Sequence, residues 1–573
     1  MEKKLTTIEI KENILKLQEL LKKQQLPAAI ITSFDIFLGE YVPLAECHRY
    51  YFSGFTGSVA ELLVPAQGKV HLFVDGRYYE QADLQTSSDV VEVEKVPYGT
   101  PLTKALLDKV KELKYQTLGA ETSRFSHALY KQIQNFAEIK NIEAELKNVV
   151  KFSAQKSLGV AAEIDKKLTG ESITERTQKI LKPGEAIYLQ ALDQISWLTN
   201  IRGYQLPYQS TFMARALLTY DKCYLLIPTT AHLNLETFSD FIEVHRLNFY
   251  ELPAFFKAIQ NQRITQVYFE SQTTSVFDYQ TLKMEFGTKL TEREQGLIPW
   301  QSRKNSAEIK SFTESFERAS LAIVESLRTI KKSCIDNQKV SELEFNELVN
   351  NNYKKHGAIG QSFKTISGFG ANGSIIHYGT PSAECFLKPQ ELILLDSGGY
   401  YESGYATDCT RTVLSGGTAT KQQKEMYTLV LKGLLQAQNA VFLPGTFGSC
   451  IDGLARQGML KFGYTYAHGT GHGVGVNVHE AGYSITPISQ VPMVEGLIGS
   501  VEPGIYLPGI GGVRLENVVV VEKHPVHKHL LHFRPLNFVG FDHELIETSL
   551  LNHEEKTWLE QYEKECEIRG TTL

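Results

Sequence analysis

Ile8, Ile10, Ile14, Leu15, Leu17, Leu20 and Leu21 recur at near-helical spacing with lysines and glutamates between them, which predicts an amphipathic helix at the start of the chain. The mostly apolar run at 28–32 predicts a buried strand, and 60–64 with 70–74 predict a strand pair turning at Gln67-Gly68. Residues 1–155 therefore read as one α/β unit. A second starts near 156, where the polar-faced stretch 171–182 predicts a helix stopped by Pro183-Gly184 and 186–192 predicts a strand. Two more strands are expected at 214–219 and 222–227, around Tyr220-Asp221, and the unit closes near Leu297. The remainder, 298–573, opens with a long predicted helix, 306–334, whose apolar stripe is Ile309, Phe312, Phe316, Ala319, Ile323 and Leu327. Beyond it the chain turns rich in glycine and β-branched residues. The expected class is α/β (α+β), with domains at 1–155, 156–297 and 298–573.

Composition narrows the functional classes. At 573 residues the chain is too long for one core. Its net charge of −6 provides no basic field for nucleic acid or an anionic membrane surface. No apolar run approaches the roughly 18 residues of a membrane span, and the polar start lacks an apolar leader segment. The seven cysteines are scattered, with no C-x-x-C pair, which argues against a disulfide framework or a thiolate zinc site and fits a reducing, cytoplasmic setting.

Chemistry concentrates in five stretches of the third region. In 392–398 an apolar strand runs into Asp396, and in 406–413 an alternating strand carries Asp408. Glycines at 398, 399 and 404 lie between them, so a hairpin is expected to set the two aspartates side by side. His468 and His472 stand four apart among the glycines of 469–475; Glu502 precedes Pro503-Gly504; Glu516 sits inside a strong strand pattern. An acid in an apolar strand is costly unless it is paired or bound to a cation. Four such acids with one histidine point to shared metal ions, and two divalent cations with bridging carboxylates fit the count. The oxygen-rich donor set suits Mn²⁺ best, with Zn²⁺ and Co²⁺ as alternatives. Arg514 lies two residues from Glu516, so strand alternation turns both the same way, where the guanidinium can orient a carboxylate and keep it ionised.

Each stretch has a plainer reading. Asp396 and Glu502 can be turn acids, and His468 and His472 loop or core histidines. His479-Glu480 has no histidine three residues on, so the helical zinc-peptidase motif is absent, and the glycines of 469–475 lack dinucleotide-loop spacing. Order and local context carry the case for a metal site.

The series LLDSG, TDCTRT, HGTGHGVG, HE, EPGIY and RLEN closely resembles the pita-bread metallopeptidases, and within them the aminopeptidase P family. That resemblance implies Asp396, Asp408, His472, Glu502 and Glu516 as metal ligands, with Asp408 and Glu516 bridging, and His377, His468 and His479 as active-site histidines. It implies Glu502 as the handler of the attacking water's proton. Arg49, 51–58 and 75–78 resemble the family's first N-terminal domain, and 191–203 its second, creatinase-like in both cases. Two such domains mark the long form of the family, whereas prolidases carry one. The implied activity is removal of the N-terminal residue from peptides with proline second; the implied assembly is a cytoplasmic homodimer. An Xaa-Pro dipeptidase and a non-catalytic scaffold of the same fold are the alternatives, disfavoured by the domain count and the complete ligand set. The segment between the two aspartates is one residue longer than the family pattern, so a lengthened turn is expected at 400–406. The stretch 147–159 lacks the usual interdomain Trp and Arg-Pro.

Overall fold

The computed structural model describes residues 4–152, 159–259 and 263–573. The expected boundary at 155/156, with part of the shortened 147–159 stretch, lies outside the described residues. The chain divides into two compact units: Met1–Glu163, Glu171–Pro207 and Thr211–Leu297 form one, and Ile164–Gly170, Tyr208–Ser210 and Ile298–Leu573 the other.

The first unit contains one sheet design twice. Strands Ala28–Ile31, Glu61–Pro65, Val70–Val74, Val91–Lys95, Thr117–Ala120 and Glu138–Asn141 form a six-stranded sheet. Strands Glu185–Leu189, Arg215–Thr219, Cys223–Ile227, Ile242–Arg246, Gln266–Phe269 and Leu290–Glu292 form another. Counted along the chain, both run fourth, third, second, first, fifth, sixth. Both join the first three strands antiparallel and the outer pairs parallel. The first helix, Thr7–Lys23, buries Ile10, Ile14, Leu17 and Leu21 as its spacing requires, and a Thr6/Glu9 capping box starts it. The expected strand at 186–192 ends at Leu189, and Leu192–Thr199 is a helix instead. Its Leu192, Ile195, Trp197 and Leu198 are all buried, so the polar face that would betray a helical period is missing. The helix expected at 171–182 is the shorter Ile173–Ile180, opened by a Ser172/Glu175 capping box.

The second unit holds a three-stranded sheet, Ile366–Phe369, Leu392–Ser397 and Cys409–Leu414, with Leu392–Ser397 in the middle. A six-stranded sheet runs in the order Val441–Phe442, Leu531–Pro535, Asn517–Lys523, Ile498–Val501, Gly471–Gly473, Glu480–Ile485. A two-stranded ribbon pairs Gly504–Leu507 with Gly511–Arg514. The helix Ser306–Ile335 packs its stripe with Phe312, Phe316, Ala319, Ile323, Leu327 and Ile330 buried. Lys421–Gln438, Gly448–Leu460 and His553–Arg569 complete the helical cover, and apolar clusters on both sheets form the core.

Leu327 is fully buried near the C-terminal end of that stripe. Leu327→Ala is expected to destabilise the second unit by about 2–5 kcal/mol through lost burial and a residual cavity. A leftward shift of its urea transition checks this, and an unchanged midpoint would contradict the packing.

Candidate metal centre

The acids arrive from three different sheets. Asp396 is next to last in Leu392–Ser397, opposite Thr410 of the neighbouring strand. Asp408 precedes that strand. Continuing the register places it across from Gly398, diagonal to Asp396 instead of beside it as expected. The pairing closes one step further on, where Thr407 N–H donates to the Gly399 carbonyl at 3.0 Å and Gly399 N–H to Thr407 Oγ1 at 2.9 Å. The intervening turn runs through Gly404 with φ near 67°. Glu516 does not sit inside a strand. The chain leaves the ribbon at Arg514 and enters the six-stranded sheet at Asn517, and Glu516 occupies the joint, its N–H donating to the Thr410 carbonyl at 3.0 Å. Glu502 lies in a similar joint between Ile498–Val501 and Gly504–Leu507, its N–H held by the Thr470 carbonyl at 2.7 Å.

His472 is the middle residue of Gly471–Gly473, and its N–H donates to Ser500 Oγ at 3.0 Å. A Cβ on Gly471 would stand 1.9 Å from the Ser500 carbonyl oxygen, so the approach that brings His472 to Glu502 requires glycine there. The His472 Nε2 atom is 3.5 Å from Asp408 Oδ2 and 3.3 Å from Glu502 Oε1. Ligand atoms of Asp408, His472 and Glu516 all lie within 4.8 Å of one another. These separations suit atoms converging on one ion, since metal–ligand bonds of about 2.1 Å at tetrahedral or octahedral angles set ligands about 3 to 3.5 Å apart. His472 Nδ1 donates to the Gly473 carbonyl at 3.1 Å, which leaves the ring lone pair on Nε2. One more such group occurs among the described residues, His71 with Glu92 and Glu94, where Lys109 already stands 3.1 Å from Glu94.

Two oxygens test whether the site suits cations. Asp396 Oδ1 and Glu516 Oε1 are buried and have no hydrogen-bond partner. A buried carboxylate oxygen without a donor is costly, and a cation supplies what the protein omits. The other oxygen of each acid is engaged. Arg514 Nη2 donates to Asp396 Oδ2 at 2.6 Å, and Thr410 Oγ1 to Glu516 Oε2 at 2.8 Å. Arg514 Nε donates to Thr410 Oγ1 at 3.1 Å, so the expected common direction of Arg514 and Glu516 holds across the broken strand. The next residue, Arg411, points the opposite way and is buried against Val539, Asn517 and Tyr562.

Burial, then the neighbouring acids, push Asp408 and Glu516 well above the ordinary carboxylate range. Glu502 is pushed up to about 7 by burial; Arg514 works against this and Asp396 adds to it. Burial would pull the Arg514 guanidinium down, yet Tyr506, Asp396 and Glu502 outweigh it and hold the cation firmly charged.

Two of the expected histidines, His468 and His479, fall around this cluster. Arg514 Nη1 donates to the Tyr506 hydroxyl at 2.9 Å, and that hydroxyl lies 2.9 Å from His468 Nε2. His468 Nδ1 donates to the Gly469 carbonyl at 2.7 Å, so in the neutral ring Nε2 accepts from Tyr506. A polar chain thus runs from Asp396 through Arg514 and Tyr506 to His468. The His479 ring meets that of His472 edge to face at 4.3 Å. His377 follows the short helical turn Gly370–Ser374 in a segment gathered on Glu342. The buried Glu342 carboxylate accepts from Phe369 N–H at 2.9 Å, Asn372 Nδ2 at 2.9 Å, Tyr378 OH at 2.7 Å and Ser382 N–H at 3.1 Å. Thr410, Tyr506 and Glu342 escaped the sequence reading. Thr410 and Tyr506 stand inside its motifs, but only as letters.

Residues 311–523 match metallopeptidase family M24 and 529–569 its C-terminal region; 13–149 and 153–308 each match a creatinase/prolidase N-terminal domain. A protein of Talaromyces marneffei named "Probable Xaa-Pro aminopeptidase P" is 30% identical over 98% of this chain and 89% of its own length. One of the same name from Fusarium vanettenii is 31% identical over 97% and 95%. The crystal structure of X-prolyl aminopeptidase from Caenorhabditis elegans, titled a cytosolic enzyme with a di-nuclear active site, superposes with a TM-score of 0.88 at 24% identity over 99% of this chain and 98% of that one. Fold and site together define an M24 metallopeptidase with its pita-bread domain behind creatinase-like N-terminal domains. The chain belongs to the Xaa-Pro aminopeptidase P family. No helix among the described residues is long and apolar enough to cross a membrane.

The raised Glu502 carboxyl fixes the sign of a pH effect in the metal-stripped protein. Its ordinary value is 4.5 and its folded value about 7, so the stability it contributes is full below about 4.5 and lost as pH rises through about 7. The melting temperature of the stripped protein is therefore expected to fall from pH 5 to pH 8, less steeply in Glu502→Gln. Added divalent ions should recover most at pH 8. Identical slopes in the two proteins would contradict the burial of this acid.

Proposed function

We propose that this metallopeptidase, which releases the N-terminal residue from peptides with proline second, holds two divalent ions on Asp396, Asp408, His472, Glu502 and Glu516. The observation that carries the reading is the pair of buried carboxylate oxygens, on Asp396 and Glu516, that lack any protein donor. When bound, two such ions supply a water that loses its proton near neutral pH and a positive pole for the carbonyl under attack. Glu502 takes that proton and passes it to the leaving proline nitrogen. His479 donates to the carbonyl oxygen as charge develops on it, while His468, whose one N–H is spent on the Gly469 carbonyl, steadies the Tyr506 hydroxyl beside it. Arg514 orients Asp396, which receives the free amine of the peptide. His377 closes the proline side. A proline imide offers no N–H and bends the chain, so a site that needs neither an amide donor nor an extended peptide can accept it.

The same reading includes Mn²⁺ as the preferred ion, supported by the oxygen-rich donors, and a division into domains 1–155, 156–297 and 298–573, supported by the repeated sheet topology. It also includes a cytoplasmic homodimer, supported by family kinship and by seven cysteines that are all free.

Metal-stripped protein is expected to release arginine from Arg-Pro-Pro only when Mn²⁺ is restored, and to leave Arg-Ala-Pro and Arg-Pro intact. Glu502→Gln should lower kcat by about 100-fold or more, as loss of a general base does. His472→Ala should lose bound metal together with activity. Cleavage of Arg-Pro would make the chain a dipeptidase. Bound metal without cleavage of any of the three would make it a scaffold.

A further inference from the structure

The residue after His479 is Glu480, and its carboxylate is buried against an equally buried Lys304, with which it forms an ion pair. Lys304 Nζ also donates to the Gln301 carbonyl at 2.8 Å. The second carboxylate oxygen of Glu480 accepts from Gln301 Nε2 at 2.9 Å and from Val476 N–H at 3.3 Å. Lys304 is itself pinned to the main sheet: its N–H donates to the Gly496 carbonyl at 2.8 Å, and Gly496 N–H donates to that of Val521 at 2.9 Å. A rigid segment therefore delivers the cation to one point on the loop.

That loop joins His472 to His479. Its ends pair through a bulge at His472/Gly473, where Gly473 faces Glu480. Within it the Gly475 carbonyl accepts from Ala406 N–H at 2.8 Å, two residues before Asp408. A Cβ on Gly475 would lie 1.7 Å from Glu480 Oε2, so the carboxylate fills the hollow under the loop and meets the bare backbone there. One side chain thus fixes the turn at Val476, the strand start that carries His479, and the stretch of loop tied to the Asp408 segment.

Stability alone gives a weak account of such a pair. Taking two charges out of water offsets much of their attraction, and well-packed apolar residues often serve as well. What the pair provides is direction: a carboxylate held by a fixed cation, a side-chain amide and a backbone N–H has one orientation. We propose that Lys304 and Glu480 are positioning residues that hold His479 at the angle catalysis requires, without touching substrate or ions. This rests on the assignment of His479 to the active site.

The test is a double-mutant cycle on the Mn²⁺-loaded enzyme with Arg-Pro-Pro. It compares Lys304→Met, His479→Ala and the combination, at a temperature where thermal melts show every variant folded. Lys304→Met is expected to lower kcat by about 10- to 100-fold, the range found when the support of an active-site group is removed, with KM changed less than about two-fold. Metal content per chain should match the parent. In the His479→Ala background the same substitution should add less than about two-fold, because the group it positions is gone. Glu480→Gln, close in shape, should behave as Lys304→Met does, and it replaces that variant if Lys304→Met fails to fold. A full additional loss in the His479→Ala background overturns the proposal, as does a lowered melting temperature with kcat intact. A fully active His479→Ala instead removes the assignment of His479, and the proposal with it.

Discussion

The mutual repulsion of four carboxylates out of water governs the second unit. Asp396, Asp408 and Glu516 are buried, Glu502 nearly so, and one guanidinium, Arg514, stands among them. With His472 neutral, that leaves three negative charges over. Without cations the cluster answers by holding protons, which is why Asp408, Glu502 and Glu516 are all raised. On the proposed ligand set, two divalent ions would reverse that balance, with the same raised acids as their ligands. Metal binding at these acids would therefore be coupled to the stability of the unit.

Such a cluster cannot be built on one strand, because neighbouring acids along a strand alternate faces or lie too far apart. The fold solves this by ending strands. Asp408 precedes one, Glu502 sits between two, and Glu516 marks the point where the chain changes sheets. Each joint lets the acid turn inward while its backbone N–H or carbonyl is still used. The N–H groups of Glu502 and Glu516 donate to the carbonyls of Thr470 and Thr410. Thr410 joins two of these parts, accepting from Arg514 and donating to Glu516 through one oxygen.

Much of this was legible in the sequence. Helical stripes gave the first helix and Ser306–Ile335, since both have a wet face to contrast with a dry one. An acid in an apolar strand exposed Asp396, apolar sequence on both sides exposed Glu516 although the chain changes sheets there, and the motif series ordered the rest. Two things stayed hidden. The helix Leu192–Thr199 is buried at every position but Asp193, which erases its period. Contacts between residues far apart along the chain leave no local trace: Lys304 lies 176 positions from Glu480, and Glu342 lies 36 from Tyr378. The register error at Asp408 has a similar origin. Glycines announce a turn, but the two-residue offset between Asp396 and Asp408 is set by where Thr407 and Gly399 pair.

Glu342 and Glu480 show two solutions to one problem. Both are buried acids that gather a loop bearing a proposed active-site histidine, His377 in one case and His479 in the other. Glu342 is met by two backbone N–H groups, an amide and a phenol, all neutral, and the segment it holds spans residues 369–382. Glu480 is met by a lysine and holds the short loop that begins at a proposed metal ligand. The difference follows from the surroundings. Glu480 pairs with Gly473, next to His472, where a further uncompensated carboxylate would add to the repulsion, and it carries its own cation. The acid that gathers the His377 segment relies on dipoles alone, which satisfy a buried charge as long as every lone pair finds a donor.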